Sequence, residues 1–153
     1  MAGCQASRID NIYVDSSYTP DFLHHVPYNH ALWAEVSGNP FAVPQEDFST
    51  KVNAAIQAPG IAPDPRSPFR IRMAFLPRRG NQLDTICTAE GQAMPSSMGK
   101  FSVLAALCYG GKLYTYINAS IETATGPDDP LFIMDMRYIV IRLFPDCAYG
   151  SVC

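Results

Sequence analysis

The stretch FSVLAALCYGGKLYTYINASIET, from Phe101 to Thr123, constrains the fold of this chain more than any other. Two apolar runs meet at Gly110-Gly111, and a two-residue Gly-Gly connection is what a tight hairpin needs, because both central positions take positive φ. The expectation is a β-hairpin at the centre of a sheet. Alternation along its second strand puts Tyr114, Tyr116, Asn118 and Ser120 on one side and Leu113, Thr115, Ile117, Ala119 and Ile121 on the other. One side packs under helices. The mixed Tyr/Asn/Ser side is the candidate for meeting a ligand or partner, with core packing or plain solvent exposure as the alternatives.

The rest of the chain supplies elements around that hairpin. Ile9, Ile12 and Val14, flanked by polar residues, fit a short edge strand or extended arm. The segment DFLHHVPYNH, Asp21 to His30, is interrupted by Pro27, which limits any helix to a turn or two. Leu32 to Val36 is a brief apolar run, read as a strand that ends at the turn signal Ser37-Gly38-Asn39-Pro40. Pro44-Gln45-Glu46-Asp47 opens a helix, since proline suits the first turn and acidic residues favour the positive end of the helix dipole. Phe48, Val52, Ala55 and Ile56 give it one apolar face, and Pro59-Gly60 stops it. Three prolines between Gly60 and Pro68 mark a surface loop. In FRIRMAFL, Phe69, Ile71, Met73 and Phe75 face one way and Arg70 and Arg72 the other, a clear strand. Leu83 to Thr88 allows a further short strand, and Glu90 to Lys100 reads as a linker. After the hairpin, Asp129 is placed to cap a helix with Pro130 at its first position. The run Leu131 to Phe144 is rich in β-branched residues, yet Asp135 and Arg142, seven apart, share a helical face where strand alternation would oppose them. A helix ending at Phe144-Pro145 is expected. Runs of strands with helices set apart predict an α+β fold, an antiparallel sheet of about four strands with two helices packed on one face. Residues 1–8 read as a tether and 9–153 as a single domain, since a chain of 153 residues can bury roughly 70% of its unfolded surface in one core.

Charge narrows the partners. The net charge is −3, and the basic residues are scattered apart from Arg70, Arg72, Arg78 and Arg79, so the basic stripe that nucleic-acid binding demands is missing. No apolar run reaches the roughly eighteen residues of a membrane-crossing helix. Five cysteines, Cys4, Cys87, Cys108, Cys147 and Cys153, include no CxxC pair, which removes support for metal ribbons and thioredoxin-type sites. With Cys4 set aside, four remain, enough for two disulfides and an oxidising compartment. Reduced core thiols are the alternative, because free cysteine is among the most buried residue types. Cys147 and Cys153 enclose only AYGSV after a proline, a short polar tail that frays unless tied down, and we expect them to be bonded to each other.

The chain opens on Met-Ala-Gly-Cys-Gln. Ala2-Gly3-Cys4 resembles the end of a bacterial lipobox, in which a small pair precedes the cysteine that is lipidated and becomes the mature N-terminus. A Met directly before it fits a chain from which a targeting segment has been cut. The resemblance implies lipidation at Cys4 and attachment to the cell envelope on its periplasmic side. Gln5, rather than Asp, after the cysteine implies the outer membrane rather than the inner. A wider pattern comprises Glu35-Val36-Ser37-Gly38-Asn39-Pro40-Phe41, the FRIRMAF strand, a cysteine at 87, a second inside LCYGG, and Leu143-Phe144-Pro145. It resembles small bacterial lipoproteins of unknown function, and the resemblance implies an envelope location and a Cys87–Cys108 bridge but no activity.

Candidate chemistry is sparse. His24, His25 and His30 form the one cluster with metal-ligand character, although adjacent side chains diverge and a solvated loop is the plainer expectation. No GxSxG elbow is present, and no cysteine stands in a catalytic family context. Asp128-Asp129, set between prolines, suits helix capping better than acid–base work. Gly110-Gly111 lacks the Lys-Ser/Thr and helix of a phosphate loop. Arg70 and Arg72, with Arg78 and Arg79, are placed to meet acidic head groups, a polyanionic glycan or an acidic partner, against the alternative of an ordinary solvated sheet face. Asn118-Ala119-Ser120 matches a glycosylation sequon, read as coincidence in a strand of a bacterial protein. The expected function is a non-enzymatic envelope lipoprotein that binds or scaffolds an envelope protein or glycan, with Tyr114, Tyr116, Asn118, Arg70 and Arg72 as the binding face. It uses no cofactor and no nucleic acid. The alternative is a metal-dependent or thiol-based envelope enzyme built on His24, His25 and His30, and a third is a subunit whose sheet edge pairs with a partner strand.

Overall fold

The computed structural model describes residues 7–75, 86–87, 101–122 and 124–146. In chain order these form strand β1 (Ser7–Val14), the single-turn helices α1 (Pro20–Leu23) and α2 (Val26–Asn29), strand β2 (Trp33–Ser37), helix α3 (Gln45–Ala55), strands β3 (Arg70–Phe75), β4 (Phe101–Tyr109) and β5 (Lys112–Ile121), and helix α4 (Pro130–Leu143). Gly110 and Gly111 take φ of 58° and 78°, so the β4–β5 turn closes through the pair of left-handed positions that glycine reaches without strain. Pro27 sits at the start of α2 rather than breaking a helix. The short strand expected at 83–88 lies outside the described residues except for Ile86 and Cys87, which occupy a turn.

The strands pair in the order β1-β5-β4-β3-β2. The α+β class holds, but among the described residues the sheet has five strands, not about four, and it is mixed, not antiparallel: β2 and β3 run parallel while every other pair is antiparallel. The cause is α3. A helix that crosses back over the sheet returns the chain in its original direction, so β2, α3 and β3 form a parallel crossover unit. β1 begins at Ser7, opposite Ile121, within the segment expected to be tether.

Alternation sends Ile71, Met73 and Phe75 of β3, Phe101, Val103, Ala105 and Leu107 of β4, and Ile117, Ala119 and Ile121 of β5 into one buried cluster. Phe48, Val52, Ala55 and Ile56 of the α3 region and Phe132, Met136, Ile139, Val140 and Leu143 of α4 join the same cluster, so both longer helices cover this face. Phe41, Phe48, Phe75, Phe101 and Phe132 meet in tilted and edge-to-face contacts, the closest being Phe48–Phe75 at 4.8 Å between centroids. Asp129 caps α4, its carboxylate accepting from Leu131 N at 2.9 Å and from Thr125 N at 3.0 Å. At the other end of α4, Thr115 Oγ1 donates to Leu143 O at 2.6 Å. A strand hydroxyl thereby satisfies a helix carbonyl that has no partner within its own helix. Asp135 and Arg142 are both helical as expected, although Asp135 is buried and Arg142 exposed.

Side chains meet the outward backbone groups at the start of β2. Asn53 Oδ1 accepts from Ala34 N at 2.8 Å and Nδ2 donates to Ala34 O at 3.0 Å. One helical turn on, Gln57 Oε1 accepts from Leu32 N and Nε2 donates to Leu32 O, each at 2.9 Å. Outward backbone groups on a strand recur every second residue, about 6.6 Å, and side chains four apart on a helix recur about every 6 Å, so the two repeats match. Gln45, Ser49, Asn53 and Gln57 form one such row, and at its start Gln45 Nε2 donates to Gly38 O at 3.0 Å. Replacing Asn53 by Leu keeps the volume but leaves a buried N–H and C=O of Ala34 without partners. We expect Asn53→Leu to lower equilibrium unfolding stability by on the order of 3 kcal/mol, whereas a loss below about 0.5 kcal/mol, the level of a neutral surface change, would show that the carboxamide is dispensable.

Candidate functional site

The sheet face away from the longer helices carries most of the binding residues expected from the sequence. Arg70, Arg72 and Ala74 of β3, Leu104, Ala106 and Cys108 of β4, and Tyr116 and Asn118 of β5 stand on it in register. A β-bulge alters the count: Cys108 pairs with Leu113 and Leu107 with Thr115, so Tyr114 is the extra residue. An extra residue shifts every side chain before it to the opposite face. Leu113 therefore lies beside Cys108 and Tyr116, and Tyr114 packs against the helix-side core. The placement of Tyr114 with Tyr116 and Asn118 is corrected accordingly.

That face is not an open surface at its centre. Cys87 and Cys108 are joined, Sγ–Sγ 2.11 Å and Cα–Cα 5.7 Å, and Ile86 and Cys87 pack over Ala74, Leu104, Ala106 and Tyr116, all of which are buried. Closing 21 residues of chain stabilises the fold by on the order of 3 kcal/mol. Arg70 and Arg72 share one carboxylate, that of Glu35 on β2, which lies 2.7 Å from Arg72 Nη2 and 3.4 Å from Arg70 Nη1. Tyr116 stacks on Tyr13 at 5.4 Å, and its hydroxyl accepts from Asn11 Nδ2 at 3.3 Å. Asn118 is half-buried in mid-strand, opposite Asn11 and Leu104. Cys4, Cys147, Cys153, Arg78 and Arg79 lie outside the described residues.

The exposed surface with the richest chemistry is elsewhere, at the end of the sheet where the Gly-Gly hairpin turns and β3 begins. Phe69 is 6% exposed and acts as a floor. Around it stand Phe22 from α1 at 6.1 Å, His30 from the end of α2 at 5.5 Å and Tyr109 from the hairpin at 5.7 Å, measured between ring centroids. Tyr109 in turn meets Tyr114 at 6.3 Å, under Lys112 Nζ at 5.2 Å from the ring. Phe22, Tyr28 and Tyr109 are 56%, 52% and 45% exposed. Large rings held this open cost apolar contact with water. The short helices place them there: Leu23 and Val26 anchor α1 and α2 in the core and turn Phe22 and Tyr28 outward.

All three histidines belong to this end, but as ring contacts and not as a ligand set. His24 Nδ1 lies 3.3 Å from Phe144 O, placing its N–H on the C-terminal end of α4. His24 touches His25 at 5.0 Å and Tyr28 at 6.0 Å, while His30 rests on Phe69. Among the described residues no group of three His, Cys, Asp or Glu side chains could hold a metal ion, so His24, His25 and His30 do not converge as a set. Burial, with the charge of Asp146 second, pushes the Tyr18 hydroxyl well above the usual phenol range, so it is no base at neutral pH.

The rim of this end is polar and fixed. Asp15, just after β1, accepts from Ser17 Oγ at 2.6 Å and from Ser17 N at 2.9 Å, and Lys112 Nζ donates to Ser17 Oγ at 2.6 Å. Tyr13 OH also donates to Asp15 at 3.1 Å. The aromatic group escaped the sequence reading because periodicity cannot separate an exposed ring from a buried one in a single-turn helix. The available signal was density: Phe22, Tyr28 and three histidines within DFLHHVPYNH.

No protein-family model matches the chain, and no curated protein and no solved structure matches it. Among the described residues no helix is long and apolar enough to cross a membrane.

The bonds from Ser17 hold the Asp15 carboxyl down at about 2. A carboxylate with a depressed folded-state value contributes stability that is complete above the unfolded value near 3.9 and is lost as pH falls from there through about 2. NMR titration of the Asp15 side-chain carbon should give a midpoint near 2, and Asp15→Asn should flatten the acid limb of the stability curve. A midpoint near 4 would mean that the Ser17 contacts do not hold in solution.

Proposed function

We propose that the protein is a non-catalytic binding module of the bacterial cell envelope, anchored by a lipid on Cys4 to the periplasmic side of the outer membrane. Its binding surface is the aromatic end of the sheet. The observation that carries this reading is the group of outward rings: Phe22 and Tyr109 set against the buried Phe69, and Tyr28 beside His24 on the neighbouring α2. Such rings form the centres of protein–protein contacts, because they bury large area while losing little side-chain freedom. Rigid backing adds to this: the hairpin turn, the β3 start and the anchored α1–α2 segment need no ordering when a partner arrives. The Cys87–Cys108 bond supports the location, since bonds of this kind persist in oxidising compartments. The partner assigned to this surface is another envelope protein, with a glycan as the alternative. The reading assigns no reaction and no cofactor.

A photocrosslinker at Tyr109 in the lipidated protein should yield a discrete adduct in intact envelopes, and one at Ala54, exposed on α3, should not. Phe22→Ser, Tyr28→Ser and Tyr109→Ser should each weaken binding of the captured partner about tenfold with little change in melting temperature. Equal adducts from Ala54, or binding unaffected by the three changes, would overturn the assignment. Binding to a glycan array lost in the same variants would assign the surface to glycan. Release of the unmodified protein from membranes by salt would remove the lipid anchor from the reading.

A further inference from the structure

α4 carries a second apolar stripe on the side away from the core. Phe132, Met136, Ile139, Val140 and Leu143 are buried under it, while Leu131, Met134 and Ile141 are 39%, 61% and 42% exposed and Tyr138 is half-buried. Residues 131, 134, 138 and 141 follow a spacing of three, four and three, which lines them up along one side of a helix. That spacing reads the same in both directions. Two copies of α4 laid antiparallel across a twofold axis therefore set Leu131 against Ile141 of the second copy, and Met134 against Tyr138.

Charge matches the same arrangement. Arg142 is exposed at the C-terminal end of the stripe, and Asp128, with its side chain 75% exposed, stands at the N-terminal end. Asp128 pairs with Lys51 at 2.6 Å, but at that exposure its carboxylate is open to a second cation. Antiparallel pairing brings each Arg142 beside the other copy's Asp128 and opposes the two helix dipoles favourably. A parallel pair would set Arg142 against Arg142. The remaining cation near the seam, Arg137, is drawn aside, its Nε donating to Ala55 O of α3 at 3.2 Å. We propose that the outer face of α4 is a homodimer interface in which a second copy of the chain packs antiparallel, held by the 131-134-138-141 seam and by two Arg142–Asp128 ion pairs. A twofold contact needs one self-complementary patch, which this stripe is.

Sedimentation equilibrium of the full chain should give a reversible monomer–dimer equilibrium. Met134→Glu should weaken it by at least about tenfold, and Arg142→Asp or Asp128→Arg alone should weaken it by several-fold, as lost or reversed interfacial charge pairs do. The double variant Asp128→Arg with Arg142→Asp restores opposite charges across the axis and should recover most of the loss, which a misfolded single variant could not mimic. Circular dichroism of each variant checks that α4 is intact. A monomer at all accessible concentrations, a dimer indifferent to Met134→Glu, or a double variant no better than the singles would overturn the proposal. So would a monomer that binds neutral lipid vesicles through Met134.

Discussion

Two carboxamides four residues apart, Asn53 on α3 and Gln57 just past its end, hold the fold at one edge of the sheet. β2 ends the sheet on one side, and an edge strand offers unpaired amides and carbonyls to any passing chain. Asn53 and Gln57 meet those groups at Ala34 and Leu32 with both donor and acceptor, so a helix stands in for a sixth strand. The arrangement also explains why β2 can be parallel and peripheral while its own Ala34 stays 2% exposed. A strand whose outer groups are satisfied can be covered. One whose groups need water cannot.

From that closure the placement of everything else follows. α3 must lie close along β2, and Phe48 and Val52 are then carried over β3, where Phe48 meets Phe75 and Phe132. α4 fills the remaining width over β4 and β5 and is received at its C-terminal end by Thr115 and His24. The other face is roofed at its centre by the Cys87–Cys108 link. Among the described residues, the exposed large apolar side chains then fall at the aromatic end, along the outer stripe of α4 and at Ile12 and Tyr13 of β1. The first two lie on different parts of the molecule, so one copy can use both.

Much of the fold was legible in the residues. The Gly-Gly turn, the alternation of Phe69 to Phe75, the proline and aspartate at the start of α4 and the apolar face of α3 each encode local geometry, which sequence expresses directly. The parallel pairing of β2 and β3 was not legible from strand patterns, because it depends on where α3 crosses. The bulge at Tyr114 escaped for a related reason: alternation is visible along one strand, while a bulge exists only between two. Asn53 and Gln57 read as ordinary polar positions on a surface helix, and their spacing gains meaning only when a strand edge lies beside them. The aromatic end depends on three separated segments meeting over Phe69. The pairing of Cys87 with Cys108, by contrast, was anticipated from resemblance and is present.

Side chains, not water, satisfy the outward backbone groups of Leu32 and Ala34 at the start of β2. Native-state hydrogen exchange of the Leu32 and Ala34 amides measures this directly. Both amides should exchange as slowly as those of β3 and β4, through openings that disrupt the sheet. Exchange at the rate of the outward amides of β1, whose outer edge no described strand covers, would contradict this.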